Sequence, residues 1–146
     1  MATTKYTIKL KKYVDIQEEY KALAAITPGH LVEFTTVKDQ VKVHATAGGV
    51  AVPMFALENE LAGKAISDAY AAGDLVPVWV VQRGEQVYAL LADGENASIG
   101  SLLMSAGNGT LKVRTGTNTI VAQALEALNL TASSVTAAAR IVVMVW

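Results

Sequence analysis

The stretch Ala72-Gly73-Asp74-Leu75-Val76-Pro77-Val78, turning at Arg83-Gly84-Glu85 and returning as Val87-Tyr88-Ala89-Leu90-Leu91, is a Gly-led pair of apolar runs. The pattern recurs downstream, where Ile99-Gly100-Ser101-Leu102-Leu103-Met104 turns at Gly107-Asn108-Gly109 and returns through Thr110-Leu111-Lys112-Val113. It is present upstream too: Pro28-Gly29-His30-Leu31-Val32-Glu33-Phe34 turns near Lys38-Asp39 and returns as Val41-Lys42-Val43-His44. Apolar runs of this length bounded by Gly, Asn and Asp read as strands joined by turns. Three such hairpins predict a mainly β, compact β-barrel or β-sandwich-like domain. Asn108-Gly109 suits a tight turn with positive φ at both central positions.

Outward from these hairpins, the N-terminal arm alternates Tyr6, Ile8 and Leu10 with Lys9 and Lys11, the period of a half-buried strand. Its lysines read as the wet face and edge of that strand, where they block unwanted pairing. The expected division is an arm over residues 1–14 and one β-rich domain over 15–146. In Asp15–Ile26 the spacing of Ile16, Tyr20, Leu23 and Ala24 predicts a short helix, with a loop as the competitor. Val52–Leu57 reads as a strand, and Asn59–Ala71 as one or two helical turns. Asn118–Leu128 reads as a strand that shades into helix, and Thr131–Ala139 as a loop. Arg140-Ile141-Val142-Val143-Met144-Val145-Trp146 reads as a buried strand, because so apolar a segment left free would aggregate.

The chain has 146 residues, room for one domain, and a domain of this size buries roughly 68–70% of its unfolded surface. Charged residues make up only 17% and apolar ones 52%, which points to surface covered by another subunit. No apolar run approaches the roughly 18 residues that span a bilayer. The net charge of −1 gives no pull toward nucleic acid or an anionic membrane, and neither is an expected partner. Without cysteine there is neither a disulfide nor a thiolate metal site. The opening Met1-Ala2-Thr3-Thr4-Lys5 lacks the apolar segment of a signal peptide, so synthesis in the cytoplasm is expected. On that reading the three Asn-x-Ser/Thr matches, at Asn96, Asn108 and Asn129, are not glycan sites.

Candidate chemistry is sparse. His30 and His44 are the two histidines, at opposite ends of the first hairpin, and no HExxH, Gly-x-Ser-x-Gly or P-loop pattern accompanies them. Glu58, Glu60, Asp68 and Asp74 could work as acid and base or hold calcium, but their spacing matches no known coordinating loop. No catalytic residue, cofactor or metal is expected. Trp79 and Trp146, with Tyr13, Tyr70 and Tyr88, are either interface anchors or core residues. Trp79 divides evenly between the two, and Trp146, at the end of the chain, leans toward a neighbouring subunit.

The run Ala56–Asp74, followed by Arg83–Leu91, Ile99–Leu103, Gly107–Leu111, Ala122–Leu128 and Arg140–Val143, resembles the small head decoration, or cement, proteins of tailed bacteriophages. The likeness covers Leu57 to the C-terminus and is one of style and order. It implies a β-rich, often trimeric protein on the outside of an icosahedral shell, bridging major capsid subunits against the pressure of packaged DNA. The expected partners are then the major capsid protein and further copies of the chain, in a virion assembled in the host cytoplasm. The expected contact residues are Tyr6, Ile8, Leu10, Tyr13, Trp79 and Trp146. The arm would dock by adding a strand to the capsid, so deleting Met1–Tyr13 should abolish binding and leave a folded oligomer. The competing readings are a small-molecule or carbohydrate binding module with a pocket near Trp79 and Tyr88, a tail or fibre component, and, last, an enzyme.

Overall fold

The computed structural model describes residues 4–146 of the protein; the first three residues of the expected arm lie outside them. Among the described residues the chain forms thirteen short strands and a single 3-10 turn, so the mainly β expectation holds. The strands are β1 Lys9–Lys11, β2 Ile16–Ala22, β3 Val32–Phe34, β4 Gln40–Val43, β5 Met54–Ala56, β6 Leu75–Val80 and β7 Gln86–Leu91. There follow β8 Asn96–Ala97, β9 Leu102–Ser105, β10 Leu111–Val113, β11 Ala122–Ala124, β12 Leu128–Asn129 and β13 Ala139–Val145.

They assemble into two curled sheets and one small ribbon. In the larger sheet the order β7-β10-β9-β11-β13 closes on itself, because β13 pairs with β11 on one side and β7 on the other. This is a five-stranded barrel, with β1 added to β7 as an edge strand. The second sheet runs β3-β4-β2-β6-β5 and curls until Leu31, just before β3, bridges Phe55 of β5. Strands β8 and β12 pair as a separate ribbon.

The first and third expected hairpins form, as β3–β4 and β9–β10. The second does not: β6 pairs with β2 and β5, whereas β7 pairs with β1, β10 and β13. The reason lies in the composition of β6. Val76 and Val78 pack into one core cluster, with Val41, Met54 and Tyr70, while Trp79 packs into the other, with Phe55, Leu91 and Ile141. A strand that is apolar on both faces needs protein on both sides, and only a position between the two sheets supplies it.

Asp15–Ile26 is not helical. Ile16–Lys21 pairs with Val80–Leu75 over six consecutive residues, and that ladder overrides the helix-like apolar spacing. Asn59–Ala71 holds one 3-10 turn, Glu60–Ala62, with Leu61 fully exposed. Asn118–Leu128 forms no helix: it holds β11, a bend at Leu125 and Glu126, and the first residue of β12. The terminal strand β13 is interior to its sheet, as its apolar run requires. The N-terminal segment is built into the body: Ile8 is fully buried, its carbonyl accepts from Tyr88 N–H (2.9 Å), and its N–H donates to Glu58 Oε2 (3.1 Å). Deleting Met1–Tyr13 would therefore take out a core residue, which corrects the expectation that such a deletion leaves the fold intact.

Two local features hold the sheets in place. Pro77 sits inside β6, where its missing N–H leaves Leu57 C=O without the return bond of their pair, although Leu57 N–H still donates to Pro77 C=O (2.8 Å). The buried Tyr70 hydroxyl donates to that carbonyl instead, at 2.6 Å. Burial pushes the Tyr70 phenol up to about 12, with the Glu58 and Glu19 charges adding to the shift. Tyr70→Phe strands a buried carbonyl and is expected to cost about 1–3 kcal/mol of unfolding free energy in denaturant titration. A Tyr70→Phe protein as stable as its parent would remove this account.

The third hairpin turns with positive φ at Gly107 and Gly109 but not at Asn108, so the tight two-residue form expected there is replaced by a three-residue loop closed by Ala106 N–H to Thr110 C=O. Asn108 Oδ1 instead accepts from the Thr110 N–H and hydroxyl. Gly109 lies between the first hairpin's two ends, its C=O on Leu31 N–H (2.8 Å) and its N–H on His44 C=O (3.1 Å). A Cβ there would stand 2.9 Å from Val43 Cβ and 3.0 Å from His30 Cγ, at φ 83°. Gly109→Ala is expected to lose roughly 2–4 kcal/mol, combining left-handed strain with overpacking. The thermal midpoint measures it.

Candidate functional site

The turn joining β6 to β7 brings the segment before β2 and the end of β13 together. Glu85 in this turn is fully buried, and its carboxylate accepts three main-chain N–H groups: Tyr13 (2.6 Å) and Val14 (2.7 Å) on Oε1, Gln82 (2.7 Å) on Oε2. Burial pushes its pKa up, but the three donors outweigh burial and hold the carboxyl below its ordinary value of 4.5. The clip fixes residues 13 and 14 beside the turn, so Tyr13, Val14 and Ile16 project as exposed apolar side chains (76%, 48% and 43%).

The end of β13 arrives at the same turn. Gly84 N–H donates to Val145 C=O at 3.0 Å, and the Arg83 guanidinium lies 5.5 Å from the centre of the half-exposed Trp146 ring. Tyr13, Val14, Ile16, Trp146 and Arg83 thus lie around one turn as apolar and aromatic side chains with an arginine, residue types that recur in protein-binding surfaces. Sequence reasoning selected Tyr13 and Trp146 but missed Val14, Ile16 and the Glu85 that positions them. An acid in an Arg-Gly-Glu turn reads as solvated, and nothing local marks it as buried.

The other expected contact residues lie elsewhere. Tyr6 is strongly exposed and Leu10 half-buried. Ile8 and Trp79 are fully buried within the chain and have no surface to offer a partner. Lys9 covers Trp79, its ammonium 5.7 Å from the ring centre, and the indole Nε1 has no hydrogen-bond partner among the described residues. Trp79 and Tyr88 line neither of two cavities near the N-terminal segment and β6, and the fully buried Trp79 presents no surface to a ligand.

The candidate chemical groups resolve into structural roles. His44 is buried, with Nδ1 2.7 Å from Ser105 Oγ and Nε2 3.1 Å from Val50 C=O and 3.5 Å from Glu33 Oε2. The facing carbonyl calls for a proton on Nε2. This Ser–His–Glu arrangement resembles a nucleophilic relay, but Ser105 is fully buried, lines neither cavity, and also accepts Gly107 N–H (3.2 Å). It ties the 45–50 loop to β9. His30 accepts Thr27 N–H on Nδ1 (3.1 Å), and burial, with help from Arg140, pushes it down to about 4. The Arg140 guanidinium reaches Pro28 C=O (2.8 Å) and Ile66 C=O, and burial lowers its pKa as well.

The four acids do not converge on one point: Glu58 and Glu60 line one cavity, Asp68 and Asp74 another. Glu58 binds Ile8 N–H, Glu60 starts the 3-10 turn, and Asp68 and Asp74 close local turns on Ala65 and Ala71 N–H. Among the described residues no three His, Cys, Asp or Glu side chains are placed to hold a metal, and no helix is long and apolar enough to cross a membrane.

Comparison with protein families and with curated protein sequences finds no match. Among solved structures, the fold is similar to that of the N base of head fiber gp8.5 in bacteriophage phi29, with a TM-score of 0.59. The superposition covers 91% of this chain and 95% of that one at 14% identity, so nearly the whole of both chains shares one architecture.

Proposed function

We propose that the protein is a structural component of a tailed-phage virion, carried on the outside of the head, where copies of it, as a homotrimer, bridge and stabilise major capsid subunits. The observation that carries this reading is the end-to-end fold likeness to a phage head-fibre base. The surface supports it. Tyr13, Val14, Ile16 and Trp146 supply an apolar contact face held by Glu85, while the groups that could do chemistry serve as internal fasteners. Gripping a shell requires area and shape, and a rigid strand framework supplies both.

The experiment is to mix purified protein with phage heads lacking it and measure sedimentation and heat resistance of the heads. Bound protein and a raised temperature of head disruption are expected. Tyr13→Ala combined with Trp146→Ala should weaken binding about tenfold or more while leaving the thermal midpoint of the free protein nearly unchanged, since both side chains are exposed. Protein that stays unbound, or a double variant that binds as well as the parent, counts against the reading.

A further inference from the structure

We propose that the N-terminal half of β2 is a docking edge for an extended partner segment carrying Lys or Arg at alternate positions. The inference does not depend on the virion reading. Strand β2 pairs with β6 from Ile16 to Lys21, but on its other side β4 joins it only at Lys21 and Ala22. Because β2 and β4 are parallel, the residues level with Gln17 and Glu19 would be Thr36 and Lys38, and these belong to the turn of the first hairpin, which is not strand. Lys21 N–H donates to Asp39 C=O and Leu23 N–H to Val41 C=O, so odd-numbered residues of this segment direct their main chain away from β6. Gln17 and Glu19 share that direction, and no strand is paired with them on that side. Such an edge is a template for a further strand.

Charge selects the occupant. Glu18 and Glu19 are exposed neighbours on this edge and form no ion pair among the described residues. Glu19 also lines a 270 Å³ groove with Glu58 and Glu60. The lysines of that groove are already engaged, Lys9 with Asp15 and Gln17, Lys12 with Asp15. An incoming strand therefore meets two carboxylates that form no ion pair among the described residues, one on each face of the edge, and cations at alternate positions answer the groove side. A second copy paired antiparallel through the same edge would set carboxylate against carboxylate, which is unfavourable. Half-exposed Ile16 offers an apolar contact at the start of the edge.

The test uses the full chain and a synthetic heptapeptide alternating Lys with Val, observed by amide NMR at low salt. The Lys–Val peptide is expected to shift the Gln17 and Glu19 amides and protect them from hydrogen exchange. The same peptide N-methylated at alternate residues, which keeps charge but cannot form a ladder, should not bind. A Glu–Val peptide should not bind either. E18K/E19K, with exposed side chains and an unchanged melting temperature as its folding control, should lose about tenfold in affinity. Binding that survives N-methylation, shifts confined to other surfaces, or no binding at millimolar peptide overturns the proposal. So does dimerisation of the free protein that protects the same two amides, which would make the occupant a second copy.

Discussion

Glu85→Gln is expected to lower the melting temperature by roughly 6–12 °C at neutral pH, the shift that about 3 kcal/mol produces in a domain of this length. The carboxylate accepts Tyr13, Val14 and Gln82 N–H groups with two oxygens. Glutamine has the same shape but only one accepting oxygen, and its amide nitrogen would face a main-chain donor. At least one N–H is then orphaned in a fully buried place, and a charge-assisted set of bonds becomes a neutral one. A Glu85→Gln protein that melts within a degree or two of its parent would show that the clip is decorative.

The same group sets part of the response to acid, together with His30. The native Glu85 carboxyl titrates below its ordinary 4.5, so its contribution is complete above that value and is lost as pH falls through the lower native value. His30, pushed down from 6.5 to about 4, is neutral in the fold while the unfolded chain takes up a proton. Its contribution is likewise complete above 6.5 and falls away between pH 6.5 and about 4. Melting temperature should therefore decline in two stages on acidification. Glu85→Gln should flatten the lower stage and leave the decline between pH 6.5 and 4 in place; a single stage below pH 4 would exclude the His30 contribution.

Trp79→Ala is expected to be the most damaging core substitution, at about 3–5 kcal/mol. Trp79 is fully buried, lies opposite Phe55 on β5 and Gln17 on β2, and packs in the cluster that extends to Leu91 and Ile141 of the closed barrel. Trp79→Phe should cost far less than Trp79→Ala, because the indole Nε1 makes no hydrogen bond that the change would remove. Chemical denaturation of both variants measures the contrast. Equal losses for Phe and Ala would mean that the Nε1 group has a partner or that the site cannot relax around the smaller ring.

The expected and observed folds part company where a residue's role depends on what packs against it from a distance. The apolar runs before and after Arg83-Gly84-Glu85 read as strands and are strands, yet they belong to different sheets. Local alternation does not say which neighbour a strand chooses once both its faces are apolar. Ile16, Tyr20 and Leu23 follow a helical spacing, and the long ladder with β6 made the segment a strand all the same. By sequence Trp79 reads equally as core or interface; burial against the barrel cluster decides for core. Trp146 follows β13, one residue past its last ladder partner Val145, and is half-exposed.

The amino-acid pattern alone determined that this protein is built of short strands punctuated by Gly turns and that its last segment must sit inside a sheet or at a subunit interface. These follow from periodicity and composition, which act over a few residues. The tertiary structure decided that the sheets are two, that Glu85 is a buried clip, and that Tyr13, Val14, Ile16 and Trp146 share one surface. It also left one edge of β2 unpaired. Each of those depends on contacts between segments far apart in the chain, such as Tyr13 with Glu85 or Leu57 with Tyr70, and side-chain burial at such contacts is set by the partner segment rather than by the neighbours in sequence.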